Sequence, residues 1–344
     1  MLGLGGAMAD IREVDPFDGA AFAAWHAAMA EGALAGRTAA TASSLEGMTQ
    51  SLQDPSGLLL RVAVGAFDGK QCVGTLLYEL PLKDDLDSVM TEINVPTAYR
   101  RQGLGTALWA WASGQAQADG RTIVQVEVNV PRGETTRTWP GAVFAEKLGF
   151  AVGHVEDRLI ADLPFDADLL VDLEASLADV TGYRTVSWAD TCPAEYLQSY
   201  AHLNTEMSRD VPTGTVTRDV VVHDPERIRT REKRMARSWT TLVSLALAKD
   251  ETPVGYTDLY LPRTTPEVVM KDDTLVLRAH RGHRLGTMLK VANLRQLESL
   301  PAEDVARRRI LQTFTAQDNV PMQKVNARFG FRPVETMYEY EKSG

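Results

Sequence analysis

The sequence contains few cysteines and no long apolar run, and each shortage excludes a class of protein. Only two cysteines, Cys72 and Cys192, occur in 344 residues, so it offers neither a disulfide framework nor a zinc-ligand spacing, and we expect no bound metal. No segment approaches the roughly 18 consecutive apolar residues of a membrane helix, and residues 1–10 lack the basic start of a signal peptide. We therefore expect a cytoplasmic protein with no membrane partner.

Charge is distributed unevenly along the chain. Residues 1–165 hold 12 basic and 20 acidic side chains, whereas residues 166–344 hold 24 and 26. An acidic surface repels nucleic acid and attracts cations, so we expect no nucleic-acid partner and favour a cationic amine as substrate. The basic stretch 227–237 alternates its charges at helical spacing, which predicts a solvated helix face.

The strongest signal in the sequence is an internal repeat. Four short motifs recur in the same order at a constant offset of 181 residues: Val73-Gly74 and Val254-Gly255, Leu80-Pro81 and Leu261-Pro262, Leu104-Gly105-Thr106 and Leu285-Gly286-Thr287, and Gly149-Phe150 and Gly330-Phe331. Solenoid repeats have periods of roughly 20 to 50 residues, so this spacing indicates a duplicated domain. We predict an N-terminal domain over residues 9–163, a linker with an acidic helical segment over 164–181, and a C-terminal domain over 182–344.

Each copy alternates apolar segments with turn residues, which predicts strands and helices in the same order. The strands predicted in the first copy span residues 58–67, 71–80, 88–95 and 122–130, with a hairpin turn at 68–70. Its main helices are predicted over residues 22–34 and 104–118, and a final helix ends at Gly149. The second copy repeats this order with strands near 241–248, 254–261, 274–277 and 310–315 and a helix over 285–297.

A glycine-containing turn separates a predicted strand from a predicted helix in each copy. In the first copy it reads Arg100-Arg101-Gln102-Gly103-Leu104-Gly105-Thr106. The first amide groups of a helix lack internal partners and, with the helix dipole, attract an anion, and glycine lets the backbone approach a phosphate. A dinucleotide fingerprint would need glycine at Leu108, and a Walker loop would need Gly-Lys-Ser/Thr, so neither fits. The other alternative is a structural turn without a ligand.

These residues resemble the signature of the GNAT superfamily of acetyl-CoA-dependent N-acetyltransferases. That signature is Arg or Gln-x-x-Gly-x-Gly or Ala after a strand ending in Val-x-Pro. Arg100, Gly103 and Gly105 match its turn, and the preceding strand ends in Val95-Pro96, without the intervening residue. The second copy looks like tandem actinobacterial members of the superfamily, a group that includes mycothiol synthase. The resemblance implies an α/β (α+β) fold of two tandem GNAT-type domains, each a mixed, mainly antiparallel sheet flanked by helices.

The resemblance also implies that acetyl-CoA is the acyl donor and that the turn amides hold its pyrophosphate. The donor-binding residues implied in the first copy are Ile93, Asn94, Val95, Arg100, Arg101, Gln102, Gly103, Leu104, Gly105 and Thr106. Those implied in the second copy are Leu275, Val276, Arg281, Gly282, His283, Arg284, Leu285, Gly286, Thr287 and Asn319. We favour the first copy, because Arg284 replaces Gly103 in the second. That replacement weakens phosphate binding if the position needs a positive φ, or else it adds a cation.

Acetyl transfer needs a base for the amine proton and a donor for the thioester oxyanion. In the resembling family, that donor is usually a strand amide displaced by a bulge, and a carboxylate on the same strand is often catalytic. Glu92 stands on the strand before the first turn, and Asp273 occupies the duplicate position. We predict these two as catalytic residues, the alternative being surface carboxylates. Trp25, His26, Tyr200 and His202 are weaker candidates for the acceptor pocket.

The late family motif Asn-x-x-Ala-x-x-x-Tyr is only partly kept. The second copy retains Asn319 but has Asn326 at the tyrosine position, and the first copy has Ala145 there. We expect an acyltransferase that moves an acetyl group from acetyl-CoA to a primary amine of a small molecule or peptide by direct attack in a ternary complex, acting as a monomer or homodimer. The alternative is a non-catalytic acyl-CoA-binding sensor or scaffold, which the missing tyrosine favours.

Overall fold

The structure is a computed structural model that describes residues 9–54 and 56–343. The strands are β1 Asp10–Glu13, β2 Leu59–Asp68, β3 Gln71–Pro81, β4 Ser88–Asn94, β5 Ile123–Pro131, β6 Ala151–Asp162, β7 Tyr183–Ala189, β8 Trp239–Ala248, β9 Pro253–Pro262, β10 Val268–Val276, β11 Ile310–Ala316 and β12 Arg332–Ser343. The helices are α1 Gly19–Leu34, α2 Leu45–Gln53, α3 Leu104–Ala118, α4 Pro140–Lys147, α5 Ala167–Ala175, α6 Leu197–Asp210, α7 Pro225–Met235, α8 Leu285–Glu298, α9 Ala302–Arg307 and α10 Val320–Arg328.

The order of elements repeats once along the chain. The series from β1 to β6 returns as the series from β7 to β12, with α5 between the copies and α9 added in the second. The duplication predicted from the sequence is therefore confirmed in the fold. Most predicted elements agree within a few residues, but β10 begins at Val268, well before residue 274. The polar run Lys271-Asp272-Asp273 interrupts its apolar pattern and concealed the first half of the strand.

The chain folds into two compact units. The first contains the described residues up to Val155 together with Thr213–Asp219 and residues 337–343, and the second contains Glu156–Pro212 and Val220–Thr336. The segment 164–181, which we predict as a linker, includes α5 and lies within the second unit. No helix in the described part of the chain is long and apolar enough to cross a bilayer.

In the first unit, β1 to β5 follow one another across the sheet in chain order, and β12 lies beside β5. Neighbouring strands from β1 to β4 pair antiparallel, and β4 pairs parallel with β5. The predicted hairpin between β2 and β3 is confirmed, with Gly69 at φ 60° in its turn. Successive residues of each strand point to opposite sides of the sheet, so each strand presents side chains to both faces.

Helices cover both faces of this sheet. On one face, Phe22 and Trp25 of α1 share a buried cluster with Ala63 of β2. On the other face, Leu108 of α3 shares a cluster with Val64. Ala63 and Val64 are adjacent in β2, so a single strand contributes to both cores. Burial of each large apolar side chain stabilises the unit by roughly 1.5–3 kcal/mol.

The second unit repeats this arrangement. Strands β7 to β11 follow in chain order, antiparallel except for the parallel pair β10–β11. Residues 156–162 of β6 complete the sheet by pairing antiparallel with β11. Tyr200 of α6 and Ile228 of α7 pack on one face, and Leu170 of α5 and Leu294 of α8 pack on the other. The predicted mixed, mainly antiparallel sheet flanked by helices is therefore confirmed in both units.

Candidate functional site

The first glycine turn joins β4 to α3 through two residues in the left-handed conformation. Arg101 has φ 63° and Gly103 has φ 84°. The amide groups of residues 104–106 open the helix, where they have no carbonyl partner within it and lie at the positive end of its dipole. Arg101, Gln102, Gly103 and Thr106 are exposed. The start of α3 is therefore open to an anion.

The two glycines of this turn have different tasks. Within the described chain, nothing lies within 4 Å of the place that a Cβ would take at Gly103, so a phosphate group has room to approach the backbone. A Cβ at Gly105 would lie 3.3 Å from the ring of Phe144 in α4. Gly103 thus provides conformation and access, whereas Gly105 allows α3 and α4 to pack closely.

Arg100 holds the turn against the end of β4. Its Nε donates to the carbonyl of Val95 at 2.9 Å, and its Nη2 donates to the carbonyl of Gly32 in α1 at 3.3 Å. A Cβ at Gly32 would lie 2.9 Å from Cβ of Asn94, so glycine lets α1 approach β4. Our sequence analysis missed Gly32, although a glycine inside an alanine-rich helix was an available signal. Arg101 has no ion-pair partner among the residues described, and its charge stays available to a ligand.

Strands β4 and β5 pair over only three residues and then separate. The parallel register runs from Ser88 opposite Ile123 to Met90 opposite Gln125, although both strands continue. Beyond Met90, the edge of β4 that faces β5 has no partner strand in the described structure. Its peptide groups can therefore bond a ligand. In the second unit, β10 and β11 also pair over only three residues.

The second turn has the same backbone, with arginine and glycine exchanged between the two left-handed positions. Gly282 has φ 83° where Arg101 stands in the first turn, and Arg284 has φ 58° where Gly103 stands. The position therefore does adopt a positive φ in both copies. An arginine there costs about 1 kcal/mol or more in backbone strain relative to glycine.

The cations of the second turn are paired with carboxylates. Arg281 repeats the role of Arg100 by donating from Nε to the carbonyl of Val276 at 2.9 Å, and it forms an ion pair with Asp210 at the end of α6. Arg284 forms an ion pair with Asp179. The guanidinium of Arg284 is therefore directed to a carboxylate of the chain itself.

Glu92 lies on β4 beside the opening between β4 and β5. Its carboxylate accepts a hydrogen bond from Nδ2 of Asn94 at 2.7 Å. The side chain of Glu92 is exposed at the surface. The protein around its carboxylate nevertheless displaces part of the water, and this desolvation, together with the charge of Glu79, raises the pKa of Glu92. An accessible carboxylate with a raised pKa suits a general base.

Strand β10 contains a bulge that the described pairs of β4 lack. Lys271 lies opposite Leu259 and Thr274 lies opposite Thr257, so Asp272 and Asp273 together face one residue of β9. The pairs between β3 and β4 run without such a shift. The constant offset assigns Asp273 to the place of Glu92, but counting from the start of each strand makes Asp272, which is likewise exposed, its structural counterpart.

Three carboxylates crowd together at this bulge. The amide of Asp273 donates to Asp258 at 2.9 Å, and the hydroxyl of Tyr256 donates to the Asp273 carboxylate at 2.6 Å. Desolvation and the neighbouring charges of Asp273 and Asp258 raise the pKa of Asp272 to about 8. Burial lowers the pKa of Lys271, whose ammonium donates to the Asp273 carbonyl. Both the amide and the carboxylate of Asp273 therefore have internal partners.

The two residues of the late motif in the second copy, Asn319 and Asn326, both make hydrogen bonds within the fold. Asn319 caps α10 by accepting from the amide of Met322 at 3.2 Å. Asn326 is buried, accepting from Lys290 and donating to Thr315 at 2.9 Å. Asn319 as a donor-binding residue stays a prediction.

The weaker acceptor candidates mostly have internal partners. Trp25 is fully buried and donates to the carbonyl of Val64 at 2.9 Å, and His26 lies 2.7 Å from the carbonyl of Ser43. Tyr200 is buried and accepts from Arg231 at 3.1 Å, and His202 is exposed. The stretch 227–237 is largely helical, but Arg231 turns inward rather than lying on a solvated face.

The chain is similar in structure to known acyltransferases, although no family model and no curated protein matches its sequence. A tandem GNAT protein from the clavulanic acid biosynthesis pathway is 25% identical, with 97% of this chain and 98% of that chain covered and a TM-score of 0.77. A GCN5-related N-acetyltransferase from Sphaerobacter thermophilus is 15% identical, with 97% and 95% covered and a TM-score of 0.61. The N-myristoyltransferase of Saccharomyces cerevisiae is 11% identical, with 99% and 81% covered and a TM-score of 0.59.

These similarities confirm the tandem GNAT-type fold over nearly the whole chain. The tandem GNAT neighbour also agrees with the expected enzyme class, an acyltransferase, and with an acyl-CoA donor. The finer relation to mycothiol-synthase-like proteins stays a prediction, as do the acceptor and the residues that would bind it.

Proposed function

We propose that this tandem GNAT-type chain transfers the acetyl group of acetyl-CoA to a primary amine, and that its first unit binds the donor. The observation that carries the proposal is the opening between β4 and β5, which leads to the exposed start of α3. A diphosphate fits this place because helix amides, the helix dipole and the charge of Arg101 all favour an anion. The fold shared with N-acetyltransferases supports the same assignment.

The pantetheine arm of CoA suits the separated edge of β4. That arm carries amide groups, and an extended chain with amide groups can bond to a strand edge as another strand would. Residues 93–95 lie on or just beyond this edge, between the end of the paired region and the turn. They are the positions at which we propose that the arm binds.

We propose that Glu92 is the base of the first unit. A protonated amine must lose a proton before its nitrogen attacks the thioester carbonyl. As the new C–N bond forms and the C–S bond breaks, the nitrogen gives up a second proton and the leaving thiolate takes one up. Glu92 can accept the amine proton directly or through one water. In the second unit, Asp273 remains our proposal from the repeat, although Asp272 is the carboxylate of that bulge that faces solvent.

A cationic acceptor fits the charges beside this opening. Glu79 of β3 raises the pKa of Glu92 of β4, so the two carboxylates act on each other. The net charge of residues 1–165 is also strongly negative. Glu79 is already paired with Arg61, so the exposed carboxylate of Glu92 and the negative net charge of residues 1–165 are what favour a cation. We therefore propose a small molecule or peptide with a protonated primary amine.

The proposal is tested by titrating acetyl-CoA into the protein in a calorimeter. Wild type should bind, and Gly103→Glu should bind at least about tenfold more weakly, because a carboxylate then occupies the open anion site. The matched control is Gly120→Glu at the other end of α3, where the residue has φ 70° and nothing described lies within 4 Å. Absence of binding by wild type, or equal loss in both variants, would refute a donor site at this turn.

A non-catalytic acyl-CoA sensor is the second candidate, because Ala145 and Asn326 occupy the two tyrosine positions. Release of CoA measured with a panel of primary amines separates the two functions. Turnover with any amine supports the enzyme, whereas binding of acetyl-CoA without release supports the sensor.

A further inference from the structure

The second turn differs from the first in what lies beside it. Helix α5 packs along α8, with Leu170 in the same apolar cluster as Leu294 and Leu297. Glu174, near the end of α5, accepts two hydrogen bonds from Arg295 at 2.7 and 2.8 Å. These contacts fix α5 in place and bring the segment 176–179, which follows it, to the start of α8.

Residues 176–179 contact the second turn directly. Arg284 donates to the carbonyl of Ser176 and forms an ion pair with Asp179. Arg328 of α10 donates to the Ser176 hydroxyl at 2.8 Å and lies 3.5 Å from the hydroxyl of Thr287. Thr287 is only 2% exposed, whereas Thr106, its counterpart in the first turn, is exposed. The start of α8 is therefore partly covered.

The charges at this contact resemble those that a bound phosphate would supply. The end of α5 carries the negative end of a helix dipole, and the start of α8 carries the positive end. Asp179 adds a carboxylate to the guanidinium of Arg284. The first unit has no equivalent cover in the described chain, where no helix precedes β1.

We propose that Arg284 and Asp179 determine which of the two turns holds the acyl donor. Together they keep residues 176–179 at the second turn, so acetyl-CoA binds to the first unit alone. A diphosphate at the second turn would have to displace both contacts of Arg284. Removing those contacts converts the second turn into a donor site. This inference rests on the proposed function, since it takes acetyl-CoA as the ligand of the first turn.

The test counts acetyl-CoA sites in the full-length protein by calorimetry. Wild type should bind one molecule per chain, and Gly103→Glu should bind none at the same concentrations. Adding Arg284→Gly and Asp179→Ala to Gly103→Glu should restore one site. These two changes place glycine where the first turn has it and leave the net charge unchanged.

The matched control uses another exposed ion pair of the second unit, between Arg184 and Glu251. Glu251 has φ 65°, close to the 58° of Arg284. Glu251→Gly with Arg184→Ala therefore removes the same kind of pair and the same kind of backbone strain. Added to Gly103→Glu, these changes should leave the protein unable to bind acetyl-CoA.

Two outcomes would overturn the inference while wild type binds the donor: two sites in wild type, or a folded triple variant that regains none. If the triple variant fails to fold by circular dichroism, Asp179→Asn in the Gly103→Glu background replaces it and should regain weaker binding; no gain there also overturns the inference. If wild type binds no acetyl-CoA, the proposed function fails instead. In that case, binding by Arg284→Gly with Asp179→Ala in an otherwise wild-type chain would still show that the pair blocks the second turn, and absence of binding there would overturn the inference as well.

Discussion

The two units share a backbone plan and differ in where they place charge. In the first, Arg101 has no ion-pair partner in the described chain, and apolar Leu77 lies opposite Glu92. In the second, the turn arginines are paired with Asp210 and Asp179, and Asp258 occupies the place of Leu77. A duplicated fold can therefore keep its strand order while changing which copy is prepared to bind an anion. The glycine turn alone does not identify that copy.

The second unit also buries a carboxylate where the first buries a leucine, at Asp258 and Leu77. Tyr256 and Asp258 are both 0% exposed, and Asp258 accepts from Tyr260 at 3.1 Å as well as from the bulge. Burying a charge costs several kcal/mol unless partners compensate it. Ionisable groups with strongly perturbed pKa values concentrate at functional sites, so the second unit deserves its own assays.

The largest expected effects on stability come from truncating two core leucines at equivalent positions of the two units, Leu108 of α3 and Leu289 of α8. Both are 0% exposed, and truncation of a buried leucine to alanine costs about 2–5 kcal/mol. Leu108→Ala and Leu289→Ala should each lower the free energy of unfolding in urea, followed by tryptophan fluorescence. Val171→Ala, at a side chain 56% exposed, is the control and should change it by less than about 0.5 kcal/mol.

The affinity for acetyl-CoA, measured in the same two leucine variants, shows whether each variant affects only its own unit. If the donor binds to the first unit, Leu289→Ala should leave its affinity nearly unchanged, whereas Leu108→Ala should weaken it, since Leu108 lies in the helix that opens at the turn. Equal weakening by both variants would contradict the division of tasks between the units.

The next effect concerns turnover. Removing a general base lowers the rate by about 100-fold or more, so Glu92→Gln should reduce CoA release by that factor while acetyl-CoA binding persists. Asp272→Asn, at the structural counterpart of Glu92, should leave turnover largely unchanged. The reverse result would place the chemistry in the second unit. The assay is CoA release at saturating acetyl-CoA, with binding checked by calorimetry.

Features that depend on local chemistry could be predicted from the sequence. Helix α3 was predicted over 104–118 and has those bounds, because a glycine turn and an apolar period mark it. The left-handed glycines Gly69 and Gly149 were likewise identifiable from their turn and cap, whereas a positive φ at Gly103 was one of two alternatives.

Features that depend on distant partners could not be predicted. A strand's composition does not say which sheet it joins, so the division of β6 and β12 between the units was not visible. The bulge shifts the register by one residue, and the 181-residue offset therefore pointed to Asp273 rather than to Asp272. The contact of Arg284 with Asp179 joins residues far apart in the sequence, and neither residue carries a local sign of it.

The smallest effect is a pH dependence of stability, and it tests whether desolvation and the neighbouring carboxylates at the β10 bulge disfavour the charged form of Asp272. The pKa of Asp272 is about 8 when folded, against a reference value of 3.8. Between these values, the folded state binds a proton that the unfolded state lacks, so the contribution of Asp272 to stability falls as the pH rises. Asp272→Asn should therefore stabilise the protein at pH 9 and change little at pH 4, by about 1 kcal/mol or less because solvent screens the group.

Glu92→Gln, measured beside it by urea unfolding at the same two pH values, should show the same sign with a smaller size, because desolvation and one like charge act on Glu92, whereas desolvation and two like charges act on Asp272. Asp250 supplies a control of opposite sign, since hydrogen bonds from Thr252 lower its pKa. Asp250→Asn should therefore destabilise the protein at pH 9. Destabilisation by Asp272→Asn at pH 9 would mean that attraction to Lys271 outweighs repulsion at the bulge. The three carboxylates of the bulge would then not make the second unit differ from the first in how charge affects its stability.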